Sequence, residues 1–250
     1  MSDLSDPAVR SRPIVDVELI IPAFNESRRL PHTLVESVAF LRAQPWTSTV
    51  VIVDNGSVDD TPAVARRVAE KLPRDVPIKV IGCARPGKGA AVRRGLLSSC
   101  SRFVGFYDAD LATPVETLAS AVVHLEAGAT AVIASRHLPE SRFARPQQFG
   151  RRAGGAAFRL LARRLVRGVR DTQCGFKIFE REAAVRALVR CRTDGFAFDV
   201  ELLHRVQQNG GTIVELPIQW TDSPDSRFRP VRDGLSSFGA VVRMRRMVSM

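Results

Sequence analysis

The sequence predicts an α/β domain built on a mostly parallel sheet with flanking helices. Apolar runs of strand length alternate with amphipathic helical stretches through about residue 135, the pattern of βαβ units. Three of those runs end directly in polar loops: Leu19-Ile20-Ile21 in Pro22-Ala23-Phe24-Asn25-Glu26, Val50-Val51-Ile52-Val53 in Asp54-Asn55-Gly56-Ser57, and Phe103 to Tyr107 in Asp108-Ala109-Asp110. Parallel sheets place ligands at the carboxyl ends of their strands, so three polar ends converge on one crevice. At 250 residues and 45% hydrophobic, the chain can bury one sizeable core.

Taken in order, Val17–Pro22 is a strand and Arg29–Ala43 an amphipathic helix. Thr49–Asp54 is the second strand. Thr61–Lys71 is helical, with Asp59 or Asp60 as N-cap. Ile78–Ile81, helix Lys88–Ser99, strand Phe103–Tyr107, helix Pro114–Ala127 and strand Thr130–Ala134 follow. The pattern then changes. Residues 136–150 have no clear period and contain Pro139 and Pro146, which predicts a mobile loop. Residues 151–169 read as a helix, with Phe158, Leu161, Leu165 and Val169 in one stripe and Arg159, Arg163 and Arg167 beside it. Such a helix can lie in a bilayer interface or bury its stripe against the sheet. Phe176–Phe179 and Gly211–Gln219 read as strands, Val200–Asn209 as a helix, and Asp233–Val248 as a basic terminal helix. The expected division is a flexible tail over 1–16, one domain over 17–226, and a basic amphipathic helix over 227–250 that can associate with a membrane.

The net charge of +11 calls for a polyanionic partner or surface without saying which. Between Arg136 and Arg170 basic residues face one acid, Glu140. Cys83, Cys100, Cys174 and Cys191 show no metal spacing and read as reduced cytosolic thiols. No run reaches the ~18 apolar residues of a spanning helix, so the chain is expected to lie on a membrane rather than cross it. A nucleic-acid-binding protein would use the arginines electrostatically. It would also need stacking platforms, and aromatics are 6% with Tyr107 the sole tyrosine.

Asp108 and Asp110 are one residue apart at a strand end, where alternation would send both carboxylates to one side with Ala109 keeping the backbone close. Magnesium commonly takes one or two protein carboxylates and completes its shell with phosphates and water. The competing reading, an N-cap pair, is weakened by Thr113-Pro114, which already supplies a cap and an N1 proline. Asp54 is placed to accept a hydrogen bond from a nucleobase or ribose, and Asn25 and Glu26 end the first strand in the same manner. Gly82 to Lys88 has the spacing of a P-loop. However, Gly89 stands where a hydroxyl should bind magnesium, and Pro86 removes a donor from the phosphate nest. Lys88 is better read as facing donor phosphates from a Gly-flanked turn.

The succession PAFNES, DNGSVDDT, GKGAAVRRG, DADLATP, ASRH, RDTQCGFKIF and FAFDVELL resembles the family 2 inverting glycosyltransferases of the GT-A (Rossmann-like) fold. It is most similar to the dolichyl-phosphate and polyprenyl-phosphate β-glucosyltransferases, over residues 17 to 246. The resemblance implies that Pro22, Ala23, Asn25, Glu26, Asp54 and Gly56 line a nucleotide pocket. It implies that Lys88, Asp108 and Ala109 face the nucleotide-sugar and that Asp110, with Asp108, holds Mg2+ or Mn2+. Arg136, with Arg151 or Arg152, would hold the acceptor phosphate. Two departures stand out. Ala112 occupies a position where mannosyl-type relatives often carry a Gln, and these 250 residues are expected to lack the span that begins the eukaryotic glucosyl enzymes.

The implied reaction moves a hexose, glucose from UDP-glucose in the leading reading, onto a polyprenyl phosphate with inversion. GDP-mannose or a UDP-N-acetylhexosamine are the alternative donors, and a soluble acceptor is an alternative to the lipid. The acceptor phosphate is mostly dianionic at neutral pH, with a second pKa of about 6, so a strong base is unnecessary. Asp199 is the base candidate if one operates, with Glu201 behind it. Both can equally be helix N-terminal acids favoured by the macrodipole. The implied partners are the donor, the lipid acceptor and the cytoplasmic face of a membrane, with no nucleic acid.

Overall fold

The structure, a computed structural model, describes residues 15–143, 157–220 and 237–244. Seven strands form one sheet, in the order Ile78–Gly82, Ser48–Asp54, Val17–Ala23, Phe103–Phe106, Lys177–Glu180, Ala131–Ser135 and Ile213–Pro217. Strands β1 (Val17–Ala23), β2 (Ser48–Asp54), β3 (Ile78–Gly82) and β4 (Phe103–Phe106) run parallel. Strand β7 (Lys177–Glu180) enters antiparallel between β4 and β5 (Ala131–Ser135), and β8 (Ile213–Pro217) adds to β5 in parallel. Two short strands, β6 (Arg142–Phe143) and β9 (Gln219–Trp220), pair separately.

Side chains of β1 alternate between two cores: Ile20 faces one, Leu19 and Ile21 the other. Helices α1 (Leu30–Arg42), α2 (Thr61–Lys71) and α4 (Thr117–Glu126) cover the second face. Helix α3 (Lys88–Ser98) and the helices Arg181–Leu188 and Phe198–Gln208 cover the first. With both faces covered, the central strands carry apolar residues on both sides, and Val50 to Val53 are all buried.

The parallel half matches the sequence expectation, with α2 at its expected bounds. Three expectations change. Helix α4 starts at Thr117 rather than Pro114, and Thr113 packs on Cys174 instead of capping it. The Arg181–Leu188 helix has no counterpart in the sequence reading. Its start is marked by Glu180, whose carboxylate accepts from the Glu182 and Ala183 amides. Finally, the basic helix expected over 151–169 is described only from residue 157 and is helical only to residue 163. Gly168 takes a φ of 75°, and the backbone there pairs with another helix. His204 Nδ1 meets the Leu165 carbonyl at 2.9 Å, and the Gln207 amide exchanges hydrogen bonds with Arg167 at 2.7 and 2.9 Å. Phe158, Leu165 and Val169 lie buried in the first core, so the stripe serves the fold rather than a bilayer. Residues 144–150 of the expected 136–150 loop, the start of that helix, and the two ends of the expected Asp233–Val248 helix lie outside the described residues; 237–244 are helical.

Candidate active site

The ends of β1 and β2 are each fixed to the next loop by an asparagine. Asn25, at the left-handed φ of 56°, accepts the Val58 amide on its Oδ1 at 2.9 Å, and its own amide donates to Ser57 Oγ at 2.9 Å. Asn55 repeats the device one strand over. Its Oδ1 accepts the Gly87 amide at 2.7 Å, and its Nδ2 donates to the Arg85 carbonyl at 2.7 Å. Short amide side chains suit this work because they reach neighbouring backbone while tolerating turn conformations. Asn55 was absent from the expected site; its position directly after Asp54 was the available signal.

Glu26 is buried and grips Arg29 through two 2.6 Å contacts, while its amide donates to Thr61 Oγ1. It is a frame residue that aims Arg29 toward Asp110, 3.9 Å away. Asp59, rather than the formal N-cap Asp60, accepts the Thr61 amide and hydroxyl at the start of α2. The Thr61 and Ser27 hydrogen bonds outweigh burial and hold its carboxyl at about 2.

Asp54 closes β2 with Oδ2 accepting the Ser57 amide at 3.3 Å, while Oδ1 is buried without a partner. An unsatisfied buried acceptor is costly unless a ligand completes it. Gly56 beside it takes a φ of 76°. Pro22 and Ala23 line the same edge as the last residues of β1, where Ala23 pairs in register with Asp54.

The two carboxylates after β4 do come together, by a different route. The strand stops at Phe106, and the chain turns, with Leu111 at a φ of 51° and Asp110 Oδ1 accepting the Ala112 amide at 3.1 Å. A turn, not strand alternation, sets their placement. Ala109 is buried beneath them, its carbonyl accepting from Thr33 Oγ1 at 2.6 Å. Burial and the neighbouring Asp108 charge both push the Asp110 carboxyl up. A cation beside Asp110 would offset both effects. Among the described residues no group of three or more His, Cys, Asp or Glu could hold a metal ion; a pair of carboxylates is the usual protein share of a magnesium shell that phosphates and water complete.

Lys88 opens α3 and reaches Asp108 Oδ1 at 2.6 Å. Burial alone would lower its pKa, but the facing charges of Asp108, Asp199 and Asp110 overcome that and raise it. The approach is made possible by Gly87, whose φ is 121° and whose absent Cβ would lie 2.3 Å from the Asp194 carbonyl. Gly175 matters similarly, because a Cβ there would lie 2.0 Å from Asp108 Oδ2. An alanine at 175 is expected to swing Asp108 away from Lys88 and lower kcat by about tenfold or more. Equal turnover by wild type and Gly175→Ala would show that Asp108 can relocate freely.

Asp199 lies buried in the first turn of its helix, bonded at 2.5 Å to Lys177. Lys177 is fully buried, also donates to the Cys174 carbonyl at 2.6 Å, and sits over the Phe106 ring. Glu201 faces elsewhere. It accepts the Arg192 and Thr193 amides at 2.7–3.0 Å, so it holds a loop and does not stand behind Asp199 as a second base. Arg136 forks onto Asp171 at 2.7 and 2.9 Å and stacks over Trp220. Asp171 is buried, but the Arg136 charge outweighs that penalty and holds its carboxyl well below the usual range. Arg151 and Arg152 lie outside the described residues.

The Glycosyl transferase family 2 model matches residues 18–186. The dolichyl-phosphate beta-glucosyltransferase of Homo sapiens is 34% identical over 238 residues, covering 90% of this chain and 73% of that one. The enzyme of that name from Dictyostelium discoideum is 32% identical, covering 92% and 73%. Among solved structures, Mycobacterium tuberculosis glucosyl-3-phosphoglycerate synthase, in complex with Mn2+, UDP and glucosyl-3-phosphoglycerate, superposes with a TM-score of 0.62 at 22% identity. That match covers 92% of this chain and 76% of the other, a likeness of fold.

Proposed function

The chain belongs to glycosyl transferase family 2, and from that premise we propose that it transfers glucose from UDP-glucose to a polyprenyl phosphate of the dolichyl type, with inversion. The activity that the relatives' names give, and a match over 90–92% of this chain and 73% of each relative, support acceptor and sugar. The observation that carries the donor half is the orphaned Asp54 Oδ1, buried on the same strand-end crevice as Asp108, Asp110 and Lys88. A uracil or ribose donor group completes it.

Asp110 and Asp108 would hold a divalent ion, which supplies Lewis-acid neutralisation of the leaving diphosphate. Lys88 adds fixed positive charge where negative charge develops as the anomeric bond breaks. Asn25 and Asn55 keep the loops after β1, β2 and β3 in register, so the donor meets a prearranged surface. The acceptor phosphate approaches as a dianion, and the reaction needs no strong base. Asp199, tied to Lys177, acts by holding the floor beneath Lys88 and Asp108. Arg136, backed by Asp171, presents a rigid cation on the acceptor half of the sheet.

No helix among the described residues is long and apolar enough to cross a membrane. We take the enzyme to meet its lipid acceptor at the cytoplasmic membrane surface, through cationic residues worth about 1 kcal/mol each near anionic headgroups.

The test is incubation with magnesium, a panel of labelled nucleotide-sugars and a short polyprenyl phosphate. Label is expected in the organic phase with UDP-glucose. Label from GDP-mannose alone, or transfer only to a water-soluble acceptor, overturns the substrate assignment. Asp54→Asn is expected to weaken UDP binding about tenfold or more, the worth of one hydrogen bond to a charged group. Unchanged UDP affinity would remove Asp54 from the pocket.

A further inference from the structure

A second concavity lies beyond Arg136, on the half of the sheet that does not carry the three strand-end motifs. It has a volume of about 560 Å³ and is lined by His137, Arg163, Gly168, Val169 and Arg170. Three of these five residues are basic, and none is acidic. The acids bonded to this wall are already engaged. Both oxygens of Asp171 bind Arg136, and both oxygens of Glu215 accept backbone amides, from Arg170 at 2.8 Å and Asp171 at 2.9 Å. Among the described residues, neither the Arg163 nor the Arg170 guanidinium has an acidic side-chain partner.

The surplus charge is felt by the neighbours. Burial lowers the pKa of His137, and Arg159, Arg136 and Arg163 lower it further against the opposing pull of Asp171. Arg159 is lowered by burial and by Arg136 and Arg163, again against Asp171. Cations that repel one another around a concave surface are stabilised by an anion inside it. Guanidinium forks match phosphate oxygens in pairs.

We propose that this cavity binds a phosphate ester or phosphate anion through Arg163 and Arg170, at a site separate from the donor diphosphate. The segment carrying Arg163 is tied to the fold by buried Phe158, Leu165 and Val169, and Arg170 directly precedes the buried Asp171. The two guanidinia therefore stand on a fixed base. The occupant is either a free phosphate species or the phosphate of a membrane lipid headgroup, which share this chemistry. The proposal does not rest on the glucosyltransferase reading.

The experiment uses the full chain in three forms: wild type, Arg163→Ala/Arg170→Ala, and the control Arg164→Ala/Arg167→Ala. The control removes the same charge from exposed positions that do not line the cavity. Inorganic phosphate is titrated by calorimetry. In a second arm, sedimentation is measured with phosphatidylcholine vesicles with and without phosphatidylglycerol. The melting midpoint serves as the folding control, so no outcome depends on transfer activity.

The Arg163/Arg170 double variant is expected to bind at least about tenfold more weakly than wild type and control. A specific loss in the phosphate arm alone names a free phosphate species. A specific loss of phosphatidylglycerol-dependent sedimentation names the lipid headgroup. If both double variants behave alike in both arms, the site does not exist and only net charge is at work.

Discussion

Replacing Asp110 by asparagine is expected to lower kcat/KM by about 10²- to 10³-fold, the range seen when a preorganised electrostatic group is removed from a transition state. The substitution preserves shape, and the Asp110 Oδ1 bond to the Ala112 amide can be kept by the amide oxygen. What disappears is charge. Burial and the adjacent Asp108 already push the Asp110 carboxyl up, so its ionised form is maintained by cations, of which Lys88 and Arg29 are the resident ones. Removing that charge leaves Asp108 as the one carboxylate of the pair, and Lys88 occupies one of its oxygens at 2.6 Å. Divalent-ion affinity, followed by manganese paramagnetic resonance in the presence of UDP, is expected to fall with activity while the melting midpoint stays within a few degrees. Full activity in Asp110→Asn would refute the donor-site assignment. An equal fall in activity with undiminished manganese binding would instead move Asp110 from the ion to the sugar.

The largest stability effect is expected from Lys177→Met. Lys177 is completely buried, and its ammonium satisfies Asp199, itself 4% exposed, together with the Cys174 carbonyl. Removing one partner leaves the other buried without compensation, which costs about 3–5 kcal/mol. For a chain of this size that corresponds to a midpoint lower by roughly 10 °C. The double variant Lys177→Met/Asp199→Leu is expected to regain most of that loss, because a buried ion pair replaced as a unit by apolar groups is often neutral or better. Its activity should remain low if Asp199 holds the floor under Lys88. A single variant that melts with wild type would show that Asp199 finds another partner or takes up a proton at little cost.

Motifs that act through local backbone were readable. The strand ends PAFNE and DNGS, the start of α2 at Thr61 and the lysine opening α3 all depend on residues within one turn of each other. Pairings across long separations were not. Asp199 finds Lys177 from 22 positions away, and Arg136 finds Asp171 from 35. Along the chain each reads as an acid or a cation without a visible partner, and only the fold shows what holds it in place. Glu201 is similar, because it accepts the amides of a loop and lies 3.9 Å from the Arg205 guanidinium, neither of which its position behind Asp199 announces. The apolar stripe over 158–169 could not be assigned to core or bilayer from its period. The fold decides it by burying Phe158, Leu165 and Val169, with His204 and Gln207 satisfying the backbone released where the helix ends.

Order along the chain fixed the parallel half of the sheet, its crevice and the acidic pair at the rim, because strand, loop and cap chemistry are short-range and each is written in adjacent residues. Only the folded molecule decided which charges neutralise one another and which stay unmatched. The antiparallel entry of β7 carries Lys177 under the crevice and Gly175 against Asp108. Coulomb energy depends on distance through space and on burial, and neither quantity follows from separation along the chain.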